Sequence, residues 1–386
     1  MVASATAVAL SSALSRVVIV CCVVMALVVI SAACKPNSTS ISGWKVTVCC
    51  LLFTAFSVYV SKADLTVTTT FCGSLLLSAI CYGLIRGMVG MPSTLKGNKL
   101  SRKFKGKRYQ LVAMPVNHFG EKVRWCLDLI GAPYEETTVA GLFSIFFRGR
   151  SVPWLVDRQS HSVIGNSDEI LMFMNAVHVP SLSSECQAKA QALLNRNSST
   201  ISWESDLNNY GHAIQGWVYF FLLDSGVPSA YTFYAWGGRE KKVSWIERLV
   251  LHAVYWVFKQ QMKVVFKTYS RELMQERQRT INGVLDRVDE ALKASGGPFI
   301  FGSQMSYIDI TFCALTAPLM AFSILYRQPR SLYARGRFES FSDIAKKKAY
   351  IENCPIELSE FEQHLLQRPS GQLVLMMYGE YRDTQY

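Results

Sequence analysis

The chain has 386 residues, enough for two domains, and a formal net charge of +12. That charge invites a nucleic-acid partner, but its location argues otherwise. Residues 1–108 hold twelve Lys/Arg against one acid, Asp64, while the remainder holds 28 basic and 27 acidic residues, a net of +1, too even for a basic nucleic-acid face. Seven of eleven cysteines lie before residue 92; the other four, Cys126, Cys186, Cys313 and Cys354, form no CxxC and no His-Cys cluster. Metal-ligand spacing is therefore absent, and these read as reduced thiols with no metal.

In chain order, Val17 to Ala33 is an apolar run of seventeen residues, Val46 to Val60 one of fifteen, and Phe71 to Ile85 a third, extendable upstream through Thr66. A spanning helix takes about 20 mostly apolar residues, and about 17 at the least. Residues 1–91 thus read as a membrane region with two or three transmembrane helices. The alternative is a cleaved leader, with Ser31-Ala32-Ala33 as a small-residue cleavage site, or an organelle transit segment. Residues 92–108 form a linker with seven basic residues and no acid, either a solvated tether or a strip lying on anionic lipid. The positive-inside rule puts the linker and the globular part on the cytosolic side. The expectation is an integral membrane protein with a lipid bilayer as a partner.

Tyr109 to Met114 are β-prone and apolar, and Pro115 stops the strand. Val123, Cys126, Leu127 and Ile130 then fall at i, i+3, i+4 and i+7, one buried helix face, ended by Gly131 and Pro133. Tyr134 to Val139 read as a second strand, parallel to the first. After the short aromatic stretch Phe143 to Arg150, Val152-Pro153 opens a strand over Trp154 to Val156, and His161 to Ile164 pair back as a hairpin. Gly165-Asn166-Ser167 cap a helix through Met174. The order βαβ–ββα is that of a thioredoxin-like domain.

From Ser181 on the chain reads as helical, with helices near 184–196, 203–223, 244–267 and 270–293; Trp217, Phe220 and Phe221 with Leu249, Val250, Val254 and Val257 supply core. Ser306 and Asp309 have capping-box spacing before the apolar run Ile310 to Leu315, which favours a structural role for Asp309 over a catalytic one. Leu332 to Asn353 is charged and reads as a surface insertion.

With these residues in place, the stretch resembles a soluble-type (cytosolic) glutathione S-transferase. Val152-Pro153 matches that family's cis-proline turn, Gly165-Asn166-Ser167-Asp168-Glu169-Ile170 its E/Q-S-x-x-I segment, and Ser306 to Ile310 its S-x-A-D-I box. Arg368 to Gly371 and Met377 to Arg382 resemble the tail of the same subgroup, so the resemblance covers roughly 109–386. It implies an α/β plus all-α fold: a thioredoxin-like glutathione-binding domain at 109–180 and a helical C-terminal domain at 181–386, preceded by the transmembrane helices. It also implies glutathione as substrate or ligand, and a homodimer. Glutathione would pair with the backbone of Val152, before Pro153, and set its γ-glutamyl carboxylate on Ser167 at a helix N-terminus. Asn166 stands where the family has an acid or amide that takes the γ-glutamyl ammonium.

The thiol position departs from the pattern. Relatives read S-H-[YF]-C-E-K where this chain reads Asn117-His118-Phe119-Gly120-Glu121-Lys122. Without the serine or the cysteine, dithiol redox chemistry is excluded. Asn117 can donate an N–H to a thiolate, or serve only as N-cap of the first helix; a histidine beside a turn, such as His118, is usually surface. Two functions stay open. One is a membrane-anchored transferase-like protein that conjugates glutathione to, or reduces with it, apolar electrophiles. The other is a non-catalytic transferase-fold binding or scaffold protein at a membrane surface.

Overall fold

The computed structural model describes residues 106–114, 117–141, 152–160, 162–223, 229–238, 240, 242–320 and 355–382. Tyr109–Ala113 (β1) pairs in parallel with Tyr134–Thr138 (β2) and antiparallel with Trp154–Asp157 (β3), which pairs antiparallel with Ser162–Gly165 (β4). The sheet order is β2-β1-β3-β4. His118–Leu129 (α1) makes the crossover between the parallel strands, and Ser167–Phe173 (α2) comes after β4, continued by a wider turn at Met174–His178. This is a thioredoxin-like arrangement. Gly131, at φ +65, takes the left-handed position that ends α1, as its place in the sequence predicts.

The helical part runs Ser184–Leu193 (α3), Ser198–Leu222 (α4), Ser229–Ala235 (α5), Trp245–Val265 (α6), Arg271–Ser295 (α7), Tyr307–Thr316 (α8), Ile356–Leu365 (α9) and Pro369–Met376 (α10). One apolar core runs from Leu111, Leu127 and Leu155 of the sheet unit to Ile214 of α4, Leu285 of α7 and Phe312 of α8. A second, smaller core gathers Ala140, Leu223, Trp236, Val250, Leu251 and Phe258 around α6.

Three expectations need correcting. First, no helix among the described residues is long and apolar enough to cross a membrane. The apolar runs at 17–33, 46–60 and 71–85, and the linker up to residue 105, lie outside the described residues. The expected transmembrane helices, integral-membrane location and bilayer partner thus find no support among the described residues, and neither does the homodimer. Second, α1 is not a one-faced helix. Glu121, Lys122 and Arg124 are buried along with Val123, Cys126 and Leu127, because α8 and α2 pack against the helix while Glu136 of β2 and Glu204 of α4 pair with its charges. Third, Leu249 and Val257 are not core: they are 57% and 52% exposed. Phe143 to Arg150, His161, the insertion at 332–353 and Cys354 lie outside the described residues.

Candidate functional site

The sheet register gathers four chain segments at one edge. Val112 of β1 stands opposite Thr137 of β2 on one side and Trp154 of β3 on the other, and Trp154 stands opposite Gly165 of β4. The segments after β1, after β2, before β3 and after β4 therefore emerge along this edge. They hold Asn117, Val139–Gly141, Val152-Pro153 and Asn166-Ser167 respectively. Val112, Val139, Val152 and Trp154 form a buried apolar cluster just beneath it, with Met114 and Val163 packed against it. The Val152-Pro153 bond is cis.

Asn117 is buried at the N-cap of α1, and its Oδ1 accepts the Gly120 N–H at 2.5 Å. This satisfies one of the helix's free first-turn donors. An amide whose oxygen is held in this way still has its NH₂ end as a donor. Ser167 is buried as the first residue of α2, with Asp168 and Glu169 behind it in the first turn. Asn166 occupies the N-cap position but makes no capping bond; its amide donates to Glu169 Oε1 at 2.9 Å. Its backbone sits at φ 61, ψ 143, a region that costs an L-residue about 1–3 kcal/mol.

His118 is buried, contrary to the surface reading. Burial, then the neighbouring His212, hold its imidazole down at about 4, so it is neutral at pH 7. Its Nε2 meets no hydrogen-bond partner among the described residues. Phe119 bridges the two histidines, 4.5 Å from the His118 ring and 5.2 Å from that of His212 on α4.

The charges of α1, which in the sequence serve only to align the motif, fasten the sheet unit to the helices. Glu121 accepts from Arg382 Nε at 2.6 Å, and Arg382 reaches Asp128 at 2.9 Å. Lys122 pairs with Glu204 of α4 at 3.3 Å, and Glu204 takes Arg196 at 2.5 Å. Arg124 pairs with Glu136 of β2 at 2.7 Å and donates to the Met114 carbonyl at 2.8 Å. The legible signal is a run of three charges, Glu121, Lys122 and Arg124, on a helix that the βαβ order already places against the sheet.

Away from the edge, Asp309 is fully buried at the start of α8. Its carboxylate accepts from the Ser306 N–H at 2.8 Å, the Ser306 hydroxyl at 2.7 Å and the Ile300 N–H at 2.8 Å. It thus closes a capping box and pins the turn at Phe299–Gly302 as well. Both oxygens are engaged in structure, which favours the capping role. Burial pushes the thiol of Cys126 up to about 12 and that of Cys313 well above its ordinary value, so neither is a ready nucleophile. Among the described residues no three His, Cys, Asp or Glu side chains gather as metal ligands.

The α5–α6 segment stands beside the site edge. Gly141 donates to the Trp236 carbonyl at 2.9 Å, and the Ala140 N–H donates to buried Glu247 of α6 at 2.8 Å. A Cβ at Gly141 would meet the Trp236 ring at 3.2 Å, so any side chain there would have to push the ring back by a few tenths of an ångström.

No family model matches the chain, and no curated protein does. Solved structures are similar at low identity. A glutathione S-transferase of Ceriporiopsis subvermispora in complex with glutathione is 14% identical, with 66% of this chain and 97% of that one covered and a TM-score of 0.35. Glutathione transferase F7 from Populus trichocarpa is 13% identical, covering 69% and 97%, with a TM-score of 0.35. FzlA from C. crescentus is 13% identical, covering 72% and 100%, with a TM-score of 0.33. Likeness at this level assigns neither activity nor ligand.

Proposed function

We propose that this chain binds glutathione along the sheet edge and activates its thiol only weakly. The observation that supports this most is the register row Val112–Trp154–Gly165, which gathers Asn117, Val152 and Ser167 at one edge. The residues fit a tripeptide thiol in part. Ser167 offers a hydroxyl and a helix-start N–H to a carboxylate. Val152 offers its backbone N–H and carbonyl, ahead of the cis bond to Pro153, to a cysteinyl residue. Asn166 is the poorer match, because its side chain is turned to Glu169. At α1 the helix start favours a thiolate, and the Asn117 amide supplies an N–H where a hydroxyl would be better placed to follow the sulfur.

Calorimetric titration of the full chain with glutathione tests the reading. Binding at millimolar concentration or tighter is expected, weakened about tenfold in Ser167→Ala through loss of one hydrogen bond to a charged group. No heat at millimolar glutathione removes the proposal. Asn117→Ser should lower the bound thiol pKa, read from thiolate absorbance, and raise turnover on a generic electrophile by less than the about 10²–10³ that a single preorganised donor supplies. If it binds glutathione but changes neither, the edge is a binding module without transferase chemistry.

A further inference from the structure

The start of α1 is backed by a buried cation. Arg124 lies about two turns along the helix from Asn117. A helical side chain leans back towards the N-terminus, so the guanidinium returns beneath the first turn. It is 2% exposed. Nε and Nη2 both donate to Glu136 Oε1, at 3.0 and 2.7 Å, and Nη2 also donates to the Met114 carbonyl at 2.8 Å. Nη1 makes no hydrogen bond; Glu121 Oε2 stands 3.5 Å from it. Glu121 is itself taken by Arg382 at 2.6 Å. The carboxylate beside Nη1 is thus shared with a second cation, and this edge of the guanidinium is its least neutralised part.

That edge faces Gly120. The point a Cβ on Gly120 would occupy is 3.4 Å from Arg124 Nη1, 3.3 Å from Asn117 Oδ1 and 3.3 Å from the Ala113 methyl. With no side chain on Gly120, the guanidinium and the Asn117 oxygen border the same small space. Asn117 Oδ1 already accepts the Gly120 N–H. Hydrogen bond and charge therefore pull the same end of the amide inward. An amide carries its acceptor and its donors at opposite corners, so the NH₂ end is left facing out. The flipped amide would set its donors against another N–H and a cation. A clamp between Met114 and Glu136 alone needs only Nε and Nη2 and gives no use to Nη1.

We propose that Arg124 is a positioning residue of the α1 site: it holds the oxygen end of the Asn117 amide inward, so that the amide N–H and the positive field of the helix start together face an anion bound there. That the anion is a glutathione thiolate rests on the reading given above; the positive field at position 117 does not.

Asn117→Cys tests the field without any ligand, by putting a thiol at the same N-cap. Its pKa is read in the full chain from the pH dependence of iodoacetamide alkylation, followed by mass spectrometry of the peptide that carries it. A value at least about one unit below the ordinary thiol value of about 8.5 is expected. Arg124→Gln, made with Glu136→Gln so that this acid is not stranded, should raise it by about one unit relative to Glu136→Gln alone. Arg124→Lys keeps the charge but cannot serve Met114, Glu136 and Gly120 at once, and should raise it by about half as much. If the glutamine protein does not fold, the lysine protein decides. A thiol pKa unmoved in every variant that folds overturns the inference and leaves Arg124 a clamp between Met114 and Glu136. With Asn117 in place, Arg124→Lys should raise the pKa of bound glutathione, read from thiolate absorbance, with affinity within about twofold of the unsubstituted chain. Failure of the unsubstituted chain to bind glutathione removes the glutathione reading only, and the alkylation result still decides the role of Arg124.

Discussion

Helices α1 and α6 invert each other. The first buries Glu121, Lys122 and Arg124; the second leaves Trp245, Leu249 and Trp256 in solvent. Residue type alone would predict the reverse. The difference lies in what each helix meets. α1 is packed by α8 and α2, and each buried charge finds an opposite one: Arg382 for Glu121, Glu204 for Lys122, Glu136 for Arg124. α6 is covered on one side only, and its second apolar face has no described neighbour to close on. Pairing, not polarity, decides burial in this molecule.

The sharpest way to break the contrast is to remove a partner on the α1 side. Arg382→Met takes the nearest cation from buried Glu121 and from Asp128, and should cost about 3–5 kcal/mol in urea unfolding. Adding Glu121→Gln should recover part of that loss, which a purely steric role for Arg382 would not allow. Next comes the histidine buried beside these charges. The folded-state value of His118 is depressed from 6.5 to about 4, so between those values the unfolded chain takes a proton that the folded chain refuses. Its contribution is complete above pH 6.5 and is lost as pH falls towards 4, up to about 3 kcal/mol at the limit. Stability measured across that window should fall less steeply in His118→Gln; identical slopes would show that His118 is not held neutral. Asp309→Ala removes a cap and strands the Ile300 N–H, an expected loss of about 2–3 kcal/mol with glutathione affinity unchanged in the folded protein. Unchanged stability with lost affinity would place Asp309 in the site after all. The smallest effect belongs to Asn166→Gly, which frees a φ of 61 from its side chain and should stabilise by about 1 kcal/mol.

Much of the fold is legible in the sequence. The five residues of β1, the limits of α1 and the cap at Ser306 come from apolar period, turn residues and side-chain oxygen placement, all local. Helical period places α6 and α7 to within two residues, because it also needs no partner. What a local reading misses is the identity of the neighbour. Leu249 and Val257 read as core because an apolar residue on a helix ordinarily finds cover, and no sequence rule says which of two apolar faces is left over. α5 escapes the reading because Ser229–Ala235 is too short and too aromatic to show a period. Of the candidate site, Asn117, Val152, Pro153 and Ser167 are named by the family resemblance, not by a local physical rule. Neither gives the turning of Asn166 towards Glu169 or the burial of His118 against α4, since both are set by side chains distant in sequence or by a backbone angle.

The reach of Arg382 back to Glu121 has a consequence for the time the chain takes to become itself. The two residues are 261 positions apart. During synthesis α1 emerges early, and Glu121 has only Arg124 of its own helix, 3.5 Å away, until Arg382 follows. At about 5–20 residues per second that delay is roughly 13–50 s. Until Arg382 is made, Glu121 lacks its nearest counter-charge, which disfavours burying the carboxylate.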